Sequence, residues 1–382
     1  MNVLARVSSP PRSEAAPLTI RRVDAIHVAL PLKAPMKMEA ETVTAAQNLI
    51  VRIEAADGTV GWGEAASAPT MTGDTPGGLV AAVRDYLAPL ITGKDAQTWP
   101  ELCKAMHRAL AGNGGAHSAV EMALLDLVGR ATGKRLIDLV AKTRRNAVKP
   151  MWLLGNPTIE ADVAEAHAKQ KEGFSLLKLK VGVKPLAKEI AIAHAVREAL
   201  PKMPLCADAN CGFTLAAAKT YIEKTRKARL SFIEQPLAYD DLDGLKKLAK
   251  ATKLPIGIDE GIHSLADIET NARAGAGGVS LKLIKLGGIV GAVEAGKLCQ
   301  RLGLSINIAV KIAESSIGSS AALHLACAVP KADWGVSLSH LYLAEDLVKR
   351  PLALANGVVT LPDGPGLGVE VDEHAVERFR VR

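Results

Sequence analysis

The sequence is poor in aromatic rings. Trp, Tyr and Phe number four each, 3% of 382 residues, so the core must be packed by Ala, Leu, Val and Ile. Cysteine is sparse too. Cys103, Cys206, Cys211, Cys299 and Cys327 are scattered and odd in number. That argues against a disulfide framework and suits a reducing cytoplasm, the expected location. No CxxC pair exists to hold a structural zinc, and Cys206 and Cys211, which flank ADAN, read as small core thiols. No run of 18 uncharged apolar residues occurs, so no transmembrane helix is expected. The opening MNVLARVSSPPRSEAAPL lacks the continuous apolar stretch of a secretory signal, and residues 1–18 are expected to be a disordered leader. The formal net charge is +7, but the basic residues are dispersed, with no RNP-like, zinc-finger or helix-turn-helix pattern. Neither nucleic acid nor membrane is an expected partner. A mildly positive enzyme that attracts small anions fits better.

What is present is a globular composition, 48% hydrophobic and 23% charged, on a chain longer than one core usually fills. Two structural units are therefore expected. In the first, LTIRRVDAIHVAL reads as a strand and NLIVRIEAADGTVGWGEA as a hairpin turning at Asp57-Gly58. Helical patterns follow over Pro76–Leu90, Trp99–Leu110 and His117–Lys134, which makes this unit α+β. From about Lys149 short apolar strands alternate with amphipathic helices. Those strands are KPMWLLG, SLLKLKVG, MPLCADAN, LSFIEQP, LPIGIDE, GVSLKLIKLGG and LSINIAV. Seven β/α units of similar length point to a parallel barrel, and no GxGxxG supports an open dinucleotide-binding sheet. After Leu347 the segment RPLALANGVVTLPDGPGLGVEV has strand and turn chemistry again and is expected to fold back on the N-terminal unit.

In such a barrel, chemistry sits where strands end. SLLKLKVG places Lys178 and Lys180 two apart in an apolar strand, a costly arrangement unless something uses or pairs them. Asp208, Glu234, Asp259 and Lys282 end later strands. Their separations are 28 residues (180 to 208), 26 (208 to 234), 25 (234 to 259) and 23 (259 to 282), each close to one β/α unit. All should face one mouth. Three carboxylates on adjacent strands offer hard oxygen ligands of the kind Mg²⁺ prefers. Lys180 and Lys282, on the second and sixth of eight strands, should lie opposite each other, so that a substrate between them presents one face to each for proton removal or delivery. Lys178 should line the same interior as Lys180, and as a neighbouring cation it would lower the Lys180 pKa; the alternative is that it pairs with a barrel carboxylate. Lys285, three residues beyond Lys282, is expected on the opposite side of an extended strand.

In order and spacing, KLK, DAN, EQP, IDE and KLIKLGGI resemble the enolase superfamily, and within it the muconate-lactonizing-enzyme subgroup. The resemblance runs through nearly the whole chain, including GWGEA and ESSIGSSAALHLA. It implies an α/β fold, a modified TIM barrel of the (β/α)7β kind over 146–349, under an N-terminal α+β capping domain over 19–145 completed by 350–382. It implies Mg²⁺, with Mn²⁺ as a possible substitute, bound by Asp208, Glu234 and Asp259, and an acid/base pair in Lys180 and Lys282 assisted by Lys178. Asn210 and Glu260 adjoin the ligand positions, and Glu314 matches a mouth-lining position. Loops at Pro35–Glu41 and Thr70–Asp74 should reach over the mouth. The partners implied are a small carboxylate substrate and further copies of the chain, from dimer to octamer. Two departures narrow the reaction. The seventh strand, LSINIAV, lacks the His of mandelate racemase-like members, and Ser337-Leu338-Ser339 stands where dipeptide epimerases carry Asp-x-Asp.

The overall reaction is expected to be a cycloisomerisation, or racemisation or epimerisation of an amino-acid derivative. A dehydratase sharing the first proton abstraction is the alternative. A metal-free Schiff-base aldolase would leave three carboxylates without purpose, and a non-enzymatic module would not need the full set.

Overall fold

The computed structural model describes residues 17–37 and 42–382. The leader expected over 1–18 thus falls, but for its last two residues, outside the described residues, as do residues 38–41 of the first capping loop. The chain begins with a three-stranded antiparallel sheet, β1 (Ile20–Lys37), β2 (Thr42–Ala55) and β3 (Val60–Ala66), in the order β1-β2-β3. The turn between β2 and β3 falls at Asp57-Gly58, where Gly58 has φ +88°.

One helix, Gly114–Thr132, fixes how this sheet is seated. It lies directly on β3, and the GWG of GWGEA explains why. A Cβ on Gly61 would fall 2.2 Å from the Ala123 carbonyl oxygen, and one on Gly63 1.9 Å from that of Ala119. Only glycine lets strand and helix backbones approach so closely. The helix is buried from Gly115 to Gly129, and its start abuts the barrel, since a Cβ on Gly114 would sit 2.3 Å from the Ile284 carbonyl oxygen. The pattern expected over Pro76–Leu90 is helical but not uniform. It runs as Pro76–Ala81, a π-turn over Ala82–Leu87, and Ala88–Ile91.

The second unit is a parallel sheet of seven strands in sequential order: β5 (Met151–Leu154), β6 (Leu176–Lys180), β7 (Leu205–Asp208), β8 (Ile233–Glu234), β9 (Ile256–Ile258), β10 (Gly278–Leu281) and β11 (Ser305–Ile308). Val336 closes it, bridging to both Pro150 and Ile308. The Met151 amide donates to the Val336 carbonyl at 2.9 Å and the Ser337 amide to that of Ile308 at 2.8 Å. Three residues thus occupy the place of an eighth strand, and the barrel is complete. Its N-terminal end is plugged by Trp334, stacked on Phe232 at 4.0 Å. Gly257 and Gly278 make room, because a Cβ on either would fall within 3 Å of the Trp334 ring.

The tail is less strand-like than its sequence suggests. Only β12 (Val359–Thr360) forms, antiparallel to β4 (Ala147–Val148). Positive φ at Gly357, Gly366 and Gly368 breaks up the rest. The tail meets the first unit through the Leu367 amide on Asp126 Oδ1 at 2.7 Å and the Val381 amide on the His27 carbonyl at 2.8 Å.

Candidate active site

Strand register brings the predicted residues side by side. Lys180 is the partner of Asp208 across β6 and β7, and Asp208 is the partner of Glu234 across β7 and β8. Glu234 pairs with Gly257, so Asp259 lies two residues further along, on the same face. Lys282 follows the last residue of β10. All of these side chains are nearly withdrawn from solvent.

Each carboxylate carries its own ammonium group. Lys178 Nζ donates to Glu234 Oε2 at 2.6 Å, Lys180 Nζ to Asp208 Oδ2 at 2.6 Å, and Lys282 Nζ to Asp259 Oδ2 at 2.5 Å. Lys180 also donates to Asn210 Oδ1, and Asn210 Nδ2 passes the chain on to Glu260 Oε1 at 2.8 Å. Burial opposes ionisation of Asp259, but Lys282 and Lys285 outweigh it and hold the carboxyl well below its usual range. Asp208 is likewise held low, with Lys180 and then Lys178 overcoming burial. Among the described residues no ammonium group is ion-paired with Glu260, and burial, reinforced by Asp259, outweighs Lys282 and pushes it up to about 7. Glu314 rises to about 8 through burial and the nearby Glu64.

One expectation is corrected and one is refined. Lys285 does not point away from the site. The strand ends at Leu281, and Leu283–Leu286 form a single helical turn closed by Gly287 at φ +71°. Residues three apart on a helix share a face, so Lys285 returns to the interior and donates to Asp259 Oδ1 at 2.6 Å. Lys178 does face the same interior as Lys180, but not as a bare cation beside it. It is ion-paired, and Glu234 and Asp208 outweigh burial to keep its pKa above the ordinary lysine value. Cys206 is a buried core thiol, whereas Cys211 is only half-buried.

Other groups carry weaker sequence signals. Asn307, a polar interruption of SINI in β11, donates to Glu234 Oε2 at 3.1 Å. Met71, at the tip of the second expected loop, places its sulfur 3.4 Å from Lys282 Nζ, and its carbonyl lies 2.9 Å from His263 Nε2. Ser339 receives the Glu314 amide at 2.8 Å and donates to the Lys311 carbonyl at 2.9 Å.

Among the described residues, no three acidic, imidazole or thiol groups converge on one point as a ligand set; the carboxylate oxygens are turned onto lysines instead. In donor chemistry and placement the set nevertheless fits a hard divalent cation. It is all oxygen and sits on successive strand ends, and beside it the buried Oε2 of Glu260 has no hydrogen-bond partner among the described residues.

A closed β/α barrel thus carries lysines and carboxylates side by side around one mouth, under a cap that reaches Lys282. Residues 161–375 match the enolase C-terminal domain-like family, and residues 20–141 match the mandelate racemase / muconate lactonizing enzyme N-terminal domain. Muconate cycloisomerase 1-2 of Acinetobacter lwoffii is 32% identical over 374 residues, 96% of each chain. L-Ala-D/L-Glu epimerase of Bacillus subtilis is 31% identical over 359 residues, 92% of this chain and 97% of that protein. The crystal structure of muconate lactonizing enzyme from Pseudomonas fluorescens, complexed with muconolactone, superposes with a TM-score of 0.92 at 26% identity, covering 96% of this chain and 100% of that one. The protein is an isomerase of the enolase superfamily. It belongs to the mandelate racemase / muconate lactonizing enzyme family, in the muconate-lactonizing-enzyme subgroup.

Proposed function

We propose that this isomerase acts on a small carboxylate, moving a proton at the carbon α to the carboxyl group, and that it depends on Mg²⁺, with Mn²⁺ as a substitute. The observation that supports this most directly is the placement of Lys180 and Lys282. Lys180 ends β6 and Lys282 follows β10, four apart in the barrel order, with Asp208, Glu234 and Asp259 at the ends of the strands between. A divalent cation held by those three carboxylates would stabilise the negative charge that develops on the substrate carboxyl group. The lysines supply the proton chemistry, each addressing one face of the α-carbon. Lys178, anchored on Glu234, orients that carboxylate and completes the positive lining beside Lys180. Burial of the whole set under the cap keeps bulk water from the acidic carbon.

The relatives named above carry two overall reactions, cycloisomerisation and epimerisation, and both begin or end at such a carbon. Elimination of water by a dehydratase shares the first step. The test is NMR in D₂O with Mg²⁺, over muconates, N-acyl amino acids and proline derivatives. Deuterium entering the α-position identifies the substrate class, with or without net turnover, and loss of a β-hydroxyl marks a dehydratase. Full activity in EDTA would refute metal dependence. An absence of exchange and turnover throughout the panel, in protein that binds Mg²⁺, would refute the assigned chemistry.

A further inference from the structure

Glu64, the acid of GWGEA, lies in the cap, and the chemistry assigned above makes no use of it. It is only 1% exposed, and no cation pairs with it among the described residues. Its carboxylate receives Asn48 Nδ2 at 2.7 Å from the neighbouring strand β2. The remaining donors come from the barrel: the Ser315 amide at 2.9 Å, Ser315 Oγ at 2.6 Å and the Gly318 amide at 2.8 Å. These belong to the start of the helix Ser316–Ala328, the element that follows β11. Asn48 Nδ2 also reaches the Ala313 carbonyl at 3.0 Å. The cap therefore grips the residue before Glu314 and the residue after it. Glu314 itself is fixed by its amide on Ser339 Oγ and by the Lys311 amide on its Oε1 at 3.1 Å.

We infer that Glu64 is a positioning residue, through which the cap sets the place of Glu314 at the barrel mouth. The inference rests on the function proposed above and on the mouth-lining position that the family resemblance implies for Glu314. Gly318 shows how closely the two acids stand. A Cβ there would lie 2.8 Å from Glu314 Oε2 and 3.1 Å from Glu64 Oε2, so both carboxyl groups border the same small space over Gly318. A carboxylate needed only to cap a helix would not have to share its space with a second one. Two buried acids this close do not both ionise readily, which agrees with burial and then Glu64 raising Glu314 to about 8. The other charged groups about Glu314 are Lys282, which draws it down, and Lys311 in its own turn. Asp346 accepts from the Ser316 amide at 3.0 Å at the same helix end, with His340 nearby.

The experiment is a ¹³C NMR titration of glutamate carboxyl groups in the full chain without substrate, with Glu314 assigned through Glu314→Gln. The wild-type midpoint is expected near the raised value. Glu64→Gln keeps an acceptor toward Ser315 and Gly318 but removes the charge, and should raise the acid constant of Glu314 about tenfold. A wild-type midpoint in the ordinary carboxylate range overturns the inference, as does an unchanged midpoint in folded Glu64→Gln. If Glu64→Gln does not fold, Asn48→Ala releases Ala313 and one donor to Glu64, and must move the same midpoint; no movement overturns the inference. Deuterium exchange separates the two readings. Its pH profile should move with the NMR midpoint while KM changes less than kcat. A moved midpoint with an unmoved profile refutes the role of Glu314 in the reaction, and with it the service of Glu64 to that reaction.

Discussion

At the residue scale the site is a set of matched charges, and its predictions follow from unmatching them. If the reaction is a racemisation or epimerisation, Lys180→Ala should abolish α-hydrogen exchange for one enantiomer and spare the other, with Lys282→Ala showing the reverse preference. If it is a cycloisomerisation or elimination, one variant should keep exchange and the other lose it for every substrate. Undiminished exchange in both variants would remove the lysines from the mechanism. Lys178→Met leaves Glu234 buried without its ammonium partner. Removing one member of a buried pair costs about 3–5 kcal/mol, measurable as a lower denaturation midpoint in EDTA. Added Mg²⁺ should shrink the loss, because a cation on Glu234 replaces the missing charge. That these side chains gather at one mouth was legible in the sequence. Acids and lysines recurring at one β/α unit must share a face once the barrel is granted. Lys285 was not legible, because alternation along a strand holds only while the strand lasts, and here it gives way to a helical turn at Leu283. The pairing of Lys178 with Glu234 spans 56 residues, so no local pattern reveals it.

At the element scale the contacts between cap and barrel repay attention, and one of them is a buried acid outside the site. Glu121, on the helix Gly114–Thr132, accepts through a single oxygen from the Ile289 amide at 2.5 Å and the Val290 amide at 3.1 Å, at the start of the helix Ile289–Leu302. Burial raises it from 4.5 to about 7 despite these donors. The folded state therefore holds this proton more tightly than the unfolded state. Stability contributed by the neutral form is full below about pH 4.5, falls as pH rises toward 7, and stays low above it. Glu121→Gln keeps the accepting oxygen and should abolish that slope, so that the variant gains on the wild type by about 3 kcal/mol at pH 8 relative to pH 4. Equal pH dependence of urea midpoints in the two proteins would contradict this. The helix itself could be read from its apolar spacing. Its neighbours could not, since contact with Gly288 and Ile289 depends on how two sequence-distant units dock.

At the scale of the whole molecule, seven strands of the barrel were legible from the rhythm of strands and helices, whereas the eighth was expected only through the family resemblance, near Ser337-Leu338-Ser339. Gly335, Val336 and Ser337 carry no strand pattern, and they complete the ring only because β5 and β11 both present unpaired edges to them. The outer surface bears Tyr86 and Tyr239, more than half exposed, together with Leu90. The family resemblance, not these exposed residues, is the ground on which a homo-oligomer is expected in solution. Light scattering that returns the monomer mass of 40.1 kDa at micromolar concentration would refute it. The seating of the helix Gly114–Thr132 bears on how such an enzyme is altered. It is pressed against β3 through Gly61 and Gly63 and against the Ile284 carbonyl through Gly114, so one helix ties the cap's sheet to the barrel. Exchanging the entire cap for that of another member would transplant a misfit into the turn that carries Lys285. A designer seeking new substrates should leave this seam intact and redraw only the short stretch around Met71.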